Sequence, residues 1–235
     1  MTDSSDWSIY LKSQLELFAE AAQYILGTPS RSRPHSPYGD NWDLLWLGHC
    51  GSIIKPNDQR RFIIENDNTV PLFDHRVVHS ASTVDMQREG LDERTRLTYQ
   101  SGGGSCIYAY ALSASGAKKV LQFNSNPKKF TAFDEGLSTL CKDDPTFKCL
   151  SVFPTLVDSH TPAGGEREGD EGETKWVNAH TFNILHSAQM TVDKALRGDP
   201  IGDGREWRQW GEESMVEGPP RTRTMDRETA KTKEQ

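Results

Sequence analysis

The feature that most constrains the fold is a short apolar run, Leu44–Gly48, which follows a polar segment rich in proline and serine. An uninterrupted apolar run that is closed by glycine is typical of a strand buried on both faces of a sheet. The run continues into Gly-His-Cys-Gly, a sequence that favours a tight turn. Since ligands of open α/β sheets bind beyond the carboxyl ends of the strands, we expect functional residues to collect near Gly48.

Cys50 lies in this turn and allows two interpretations. The surrounding Gly-His-Cys-Gly is similar to the strained turn that presents a catalytic serine or cysteine, but that turn requires glycine where Ser52 stands. A free cysteine is more commonly a small buried residue. We therefore expect Cys50 to have a packing or turn role. A cysteine hydrolase that uses Cys50 with His49 or His79 is the alternative.

Composition narrows the class of protein. The chain of 235 residues is long enough to bury a substantial core, but only 34% of its residues are hydrophobic, so part of it is expected to lie outside the core. The net charge of -7 gives no support for nucleic-acid binding, and no apolar run is long enough to span a membrane. The four cysteines form no Cys-x-x-Cys pair, which argues against structural zinc. Cys141 and Cys149 flank a short polar loop and would pair in an oxidising compartment.

Periodicity along the rest of the chain predicts an α/β sheet covered by helices. A first helix is expected to begin at Ile9 and to end at Gly27, and Ser113 is expected to cap a second one. Charges of both signs crowd residues 197–235, which are predicted to form a disordered tail. The helix that Ser113 caps is predicted over 114–123. The other predicted elements are strands at 62–64, 106–111 and 148–154, helices from 133 and from about 180, and loops at 28–41 and 161–174.

Two further motifs are incomplete. Residues 100–105 include three consecutive glycines, as phosphate-binding loops do, but the Gly-Lys-Ser/Thr ending is missing and no helix follows directly. His75 and His79 have the spacing of two metal ligands on a helix, but Arg76 stands where zinc proteases have glutamate. The valines between the histidines favour a strand, so we expect a solvated or hydrogen-bonded histidine pair.

Acidic residues near two helix starts have a structural and a functional interpretation. Asp6 or Ser8 is placed to cap the first helix, and Asp134 lies in the first turn of the helix that begins at Phe133, where the helix dipole favours acids. The functional alternative is that Asp3 and Asp6 belong to an acidic metal-binding turn. The spacing alone favours the cap.

Several blocks of the chain together resemble one enzyme family. They are Trp42–Gly51, Cys106–Leu121, Phe133–Cys141, and Val152–Leu156 followed by Asp158-Ser-His160. They are similar to successive blocks of glycosyltransferase family 25, above all to its fungal members, and Ala-Tyr-Ala-Leu-Ser-x-x-Gly-Ala is the most specific part. The family includes procollagen galactosyltransferases and bacterial lipooligosaccharide galactosyltransferases. The resemblance runs from about Trp7 to about Leu196 and implies a GT-A fold that transfers a sugar, often galactose from UDP-galactose, to a hydroxyl acceptor.

The resemblance also implies a metal site. The family's metal turn, of the kind Glu-Asp-Asp-x-Asp-Trp, matches residues 2–7, which keep Asp3 and Asp6 but have Thr2 and Ser4 in place of two acids. These ligands would hold Mn²⁺ or Mg²⁺, the cations that suit oxygen ligands and that stabilise a leaving diphosphate.

Two later residues complete the implied site. His160 would be a late metal ligand, and Asp134 would be the carboxylate beside the acceptor hydroxyl. In an inverting reaction Asp134 would act as the general base. For each of them, a cap or a polar loop position is the alternative.

The family's nucleotide-binding strand and helix precede the acidic turn, whereas Met1 here lies almost on it. We therefore expect residues 1–196 to form an N-terminally truncated glycosyltransferase domain. Three functions follow: a metal-dependent sugar transferase, a non-catalytic remnant that binds a glycan or a protein, and the cysteine hydrolase. The family suggests the Golgi or the secretory pathway, although the sequence shows no signal, anchor or Asn-x-Ser/Thr site.

Overall fold

The structure is a computed structural model and describes residues 7–27, 35–70, 86, 90–126, 131–158, 166–168, 174–176, 197 and 219–225. The helices in these ranges are α1 (Trp7–Leu26), α2 (Ala114–Asn124) and α3 (Phe133–Asp143). The strands are β1 (Leu44–Gly48), β2 (Gly51–Ile54), β3 (Arg61–Glu65), β4 (Arg96–Ser105), β5 (Ala109–Leu112), β6 (Cys149–Phe153), β7 (Glu166–Glu168), β8 (Thr174–Trp176) and β9 (Arg221–Met225). None of the helices in the described part of the chain could span a membrane.

A mixed sheet lies at the centre of the fold. Its strand order is β5-β1-β6-β4-β3-β9, and β2 pairs with β4 beside this path. β1 runs parallel to β6, with Leu45 opposite Leu150, and the other pairings among the described strands are antiparallel. The predicted α/β class is confirmed, and the strand predicted at Leu44–Gly48 is β1.

Helices cover both faces of the sheet. Because successive strand residues point to opposite faces, Leu45 packs towards α1 while Leu44 and Trp46 pack towards α2 and α3. The α1 layer contains Phe18, Ala21, Ala22, Ile25, Phe62, Ile64, Leu150 and Val152. The layer of α2 and α3 contains Val120, Leu137, Leu140, Cys141, Phe147 and Cys149. A third cluster at β3 and β4 contains Ile63, Met86, Leu91, Leu97 and Tyr99.

Asp43 fixes the start of β1 to α2. Its carboxylate accepts hydrogen bonds from Ser115 Oγ and from Lys119 Nζ, each at 2.7 Å. Ser113 caps α2 as predicted, because its hydroxyl accepts a hydrogen bond from the Gly116 N–H at 2.9 Å. A Cβ at Gly116 would clash with the backbone of Asp43, so glycine is required there. The Ser-x-x-Gly segment of the family resemblance therefore has a packing role in this fold.

The structure differs from the sequence predictions in several places. β2 and β4 were not predicted as strands, although β4 contains the glycine run of residues 100–105, and Ser8 lies inside α1 instead of capping it. The strand predicted over 106–111 begins only at Ala109, because Cys106 has a left-handed backbone (φ +61°) that interrupts it. Within the predicted disordered tail, residues 221–225 form β9 and pair with β3. Within the predicted loop at 161–174, residues 166–168 form β7 and pair with β8. Backbone pairing of this kind needs no apolar side chains, which explains why hydropathy does not reveal it. The helix predicted from about residue 180 lies outside the described residues.

Candidate functional site

The carboxyl ends of β1 and β6 meet beside Gly48. The Leu47 carbonyl oxygen accepts hydrogen bonds from the N–H groups of Leu156 (2.9 Å) and Val157 (3.3 Å). A Cβ at Gly48 would lie 2.5 Å from the Val157 carbonyl oxygen and 3.0 Å from Tyr108 Cβ, so only glycine permits this approach. The segments that follow β4 and β6 therefore converge on the end of β1, where open α/β sheets bind their ligands.

Two aromatic rings are exposed near this edge. Tyr110 on β5 is 39% exposed, and Phe133 at the start of α3 is 37% exposed. Their ring centroids lie 5.9 Å apart, and we call these two residues the aromatic pair. Exposed aromatic side chains with a few polar groups beside them are typical of ligand sites. Neither residue was expected in the site from the sequence, because an aromatic residue in a strand or at a helix start is as often part of a core.

Asp134 follows Phe133 in the first turn of α3, as predicted. Its Oδ2 accepts a hydrogen bond from the Cys106 N–H at 2.9 Å, and its Oδ1 accepts one from the Glu135 N–H at 3.0 Å. An ionised carboxylate has about four lone-pair positions. Asp134 is only partly buried, so its remaining lone pairs can accept a hydrogen bond from a ligand hydroxyl.

A disulfide holds the turn that contacts Asp134. Cys50 and Cys106 are bonded across 56 residues of sequence. The Cys106 carbonyl oxygen accepts a hydrogen bond from Trp46 Nε1 at 2.9 Å, so both peptide groups of Cys106 have partners. Tyr108 donates its hydroxyl proton to Cys50 Sγ at 2.8 Å, because a disulfide sulfur carries no proton of its own. The turn that positions Asp134 is therefore fixed from several sides.

The Cys50–Cys106 disulfide contradicts one of the functional alternatives. A cysteine nucleophile acts as a thiolate, and the Cys50 sulfur is bonded to Cys106. The cysteine hydrolase is therefore contradicted, while a structural role for Cys50 agrees with the main expectation. The pairing considered for Cys141 and Cys149 is present, so all four cysteines of the chain are in disulfides.

The glycines of residues 102–104 have packing roles. A Cβ at Gly103 would lie 2.6 Å from Ser138 Oγ on α3, and the backbone there has φ +121°. A Cβ at Gly104 would lie 2.7 Å from the Gly51 carbonyl oxygen. The Ser138 hydroxyl also accepts a hydrogen bond from the Gly104 N–H at 3.1 Å. These glycines end β4 beneath α3, which explains the glycine run without a phosphate ligand.

His49, the second residue of the turn, is buried behind the site. Its Nε2 donates a hydrogen bond to the Val152 carbonyl oxygen at 3.0 Å, so Nδ1 carries the lone pair. Burial lowers the pKa of His49 to about 4, with the Val152 hydrogen bond acting weakly in the opposite direction. His49 is thus a neutral structural histidine in this fold. His75 and His79 lie outside the described residues.

We expect His49 to make the fold sensitive to acid. Its pKa in the fold is about 4, below the value of 6.5 for a free histidine, so its contribution to stability is present above pH 6.5. That contribution is lost as the pH falls from 6.5 towards 4, by about 3 kcal/mol. Urea unfolding of the wild type and of His49→Gln at pH 7 and pH 4 should show the stability difference between them shifting by that amount in favour of the variant.

His35→Gln is the matched control for this prediction. The His35 side chain is 97% exposed and contacts Asp40 only at the surface, so its replacement should change the pH dependence of unfolding far less than His49→Gln does. A pH profile of His49→Gln that runs parallel to the wild-type profile would show that His49 is not the acid-sensitive group.

The implied metal ligands Asp3, Asp6 and His160 lie outside the described residues. Among the residues that the structure does describe, no group of three or more His, Cys, Asp or Glu side chains could hold a metal ion. Of the implied site residues, Asp134 alone is therefore placed here.

Comparisons with known proteins give no assignment. No protein-family model, no curated protein and no solved structure matches this chain.

Proposed function

We propose that this chain belongs to a glycosyltransferase that moves a sugar, galactose from UDP-galactose by resemblance, to a hydroxyl acceptor. The observation that carries the proposal is the position of Asp134 and the aromatic pair together, at the edge where the parallel strands β1 and β6 end. In the GT-A architecture that we propose for this sheet, such an edge is where donor and acceptor meet.

The geometry supports acceptor binding by the described residues. A pyranose ring has an apolar face that can pack on an exposed aromatic ring, and Tyr110 and Phe133 offer such rings. Asp134 adjoins Phe133 in the chain, and its carboxylate can accept the hydrogen bond of a sugar hydroxyl. As that hydroxyl attacks the donor, Asp134 would take up its proton as general base.

A divalent cation would neutralise the charge that grows on the leaving diphosphate. Its proposed ligands are Asp3, Asp6 and His160, and the described residues provide no alternative set. The steps that we assign to the described part of the chain are therefore acceptor binding and proton removal. Both cystine bridges suit an oxidising compartment, which agrees with the secretory location expected from the resemblance.

Calorimetric titration with UDP, with and without Mn²⁺, tests the proposal. We expect Mn²⁺-dependent binding in the micromolar range, which corresponds to about -8 kcal/mol. Asp134→Asn should leave UDP binding unchanged, because the residue contacts the acceptor side, and should lower sugar transfer by about 100-fold or more. The single asparagine oxygen can still accept the Cys106 hydrogen bond at the expense of the one from Glu135, so the turn should be retained.

Glu135→Gln is the matched control, since Glu135 is an exposed carboxylate on the same helical turn. It should keep both UDP binding and transfer. Equal losses in Asp134→Asn and Glu135→Gln would contradict a specific role for Asp134. A folded protein that binds no UDP at any Mn²⁺ concentration would contradict the transferase itself.

A non-catalytic protein that binds a glycan or another protein is the second candidate. The observation that favours it is that both Asp134 oxygens already accept backbone hydrogen bonds, which is also what a purely structural carboxylate does. This candidate predicts glycan binding that needs neither UDP nor Mn²⁺ and that is weakened by Tyr110→Ala. Leu121→Ala, at a residue that is 71% exposed on α2, is the control and should leave such binding unchanged.

A further inference from the structure

β9 closes one edge of the main sheet with a strand from far along the chain. Its five residues pair antiparallel with β3, from Arg61 opposite Met225 to Glu65 opposite Arg221. Arg223 and its ion-pair partner Glu65 are 158 residues apart in sequence. The edge is therefore covered by a segment that is remote from β3 in the chain.

Within the described part of the chain, few side-chain contacts hold β9 in place. Residues 221–224 are exposed, and Met225, which is partly buried, packs against the cluster that contains Ile63. Arg223 Nε lies 2.5 Å from Glu65 Oε1, in an ion pair whose side chains are 44% and 36% exposed. Backbone pairing thus supplies most of the attachment, as in proteins that bind a peptide as an added strand.

β3 itself requires a covering strand. Phe62, Ile63 and Ile64 are almost fully buried, and an uncovered β3 would expose a row of unpaired N–H and C=O groups. A weakly anchored strand on such an edge can exchange with the same strand of another molecule, because the contacts formed are identical. The pairing of Glu65 with Arg223 favours a basic strand as the occupant.

We propose that the β3 edge is a strand-docking site and that the β9 segment of a second copy of this chain is its exchange partner. Each copy would donate β9 to the β3 of the other, with Arg223 of each pairing with Glu65 of its neighbour. The docking site lies away from the edge that holds Asp134. The proposal therefore does not depend on the proposed transferase function.

Two charge reversals in the full chain test the exchange. Glu65→Arg turns the ion pair into two facing arginines, and Arg223→Glu turns it into two facing glutamates. The like charges repel, so each variant weakens the pairing of its own β9 with its own β3. Mixed together, they restore both ion pairs only by exchanging strands. We expect light scattering at low salt to show a mixed dimer with a dissociation constant about tenfold lower than that of either variant alone, and the gain to vanish at high salt.

The double variant that carries Glu65→Arg and Arg223→Glu in one chain is the control, because it can satisfy its own edge and should not gain association. Circular dichroism must show that all variants fold. A mixture of folded variants that associates no more than its components would overturn the proposal. A gain in the mixture that persists at high salt would overturn it as well, because it would show an association that does not depend on the Glu65–Arg223 ion pair.

Discussion

The Cys50–Cys106 disulfide should stabilise the fold by about 4 kcal/mol and the Cys141–Cys149 disulfide by about 2.5 kcal/mol, according to the loop-closure entropy that each removes from the unfolded chain. The first bridge closes a loop with a sequence separation of 56, and the second closes one with a separation of 8. The longer loop loses more conformational freedom when it is closed, so the bridge beside the candidate site should contribute more.

Two variants that each keep one bridge make this measurable. One replaces Cys141 and Cys149 by alanine, and the other replaces Cys50 and Cys106. Within each variant, urea unfolding is measured in the oxidised and in the reduced state. The difference isolates the remaining cross-link, because any packing lost with the buried Cys141 and Cys149 side chains is common to both states of that variant.

The same variants bear on the candidate site. Reduction of Cys50–Cys106 removes one restraint on the turn whose N–H binds Asp134, whereas reduction of Cys141–Cys149 releases the far end of α3 from β6. A larger stabilisation from the short loop than from the long one would contradict the entropic account. It would show instead that native-state contacts around Cys141 decide the effect.

Elements with a strong local signal were predictable from the sequence. β1 was predicted from an uninterrupted apolar run, and α2 was predicted from its Ser113 cap to within one residue of its observed end. α3 begins at Phe133 as predicted, with Asp134 in its first turn. In each case residues a few positions apart determine the structure, through burial, capping or the helix dipole.

Long-range features were not predictable in the same way. The sequence shows four cysteines but not their connectivity, and the Cys50–Cys106 bridge depends on how the end of β4 returns to β1. β9 is polar and exposed, and only a partner strand far away in sequence makes it a strand. The position of Asp134 in the first turn of α3 was predictable. Its hydrogen bond to Cys106 was not, because it depends on the left-handed turn that the Cys50–Cys106 bridge and Trp46 hold.

Replacement of Arg96 by methionine should cost about 3–5 kcal/mol of folding free energy, because it leaves a buried carboxylate without its cation. Arg96 Nε lies 2.7 Å from Asp67 Oδ2, and the two side chains are only 3% and 1% exposed. The same guanidinium donates to Thr69 Oγ1 at 2.8 Å and to the Thr155 carbonyl oxygen at 3.0 Å, while Gln14 on α1 donates to Asp67 at 3.2 Å. One ion pair thus joins β4, α1 and the segment after β6.

The folding free energy lost in Arg96→Met should be smaller at acidic pH. Burial alone would raise the pKa of Asp67, but the Arg96 charge and the Thr69 hydrogen bonds hold it below its usual value. In the wild type this contribution is present above the usual pKa and is lost as the pH falls through the lowered one. In Arg96→Met the carboxylate can relieve its burial by taking up a proton. Unfolding free energies of the two proteins should therefore approach each other from pH 7 to pH 3.

Lys12→Met is the control, since Lys12 and Glu16 form an ion pair at 3.9 Å whose side chains are 76% and 67% exposed. Its removal should change stability by less than about 0.5 kcal/mol. A double variant, Arg96→Met with Asp67→Leu, should be more stable than Arg96→Met alone, because the destabilising element is the orphaned charge and not the absence of a salt bridge. If Arg96→Met and the double variant lost the same unfolding free energy at every pH, the hydrogen bonds of Arg96 to Thr69 and Thr155 would be its main contribution to the fold.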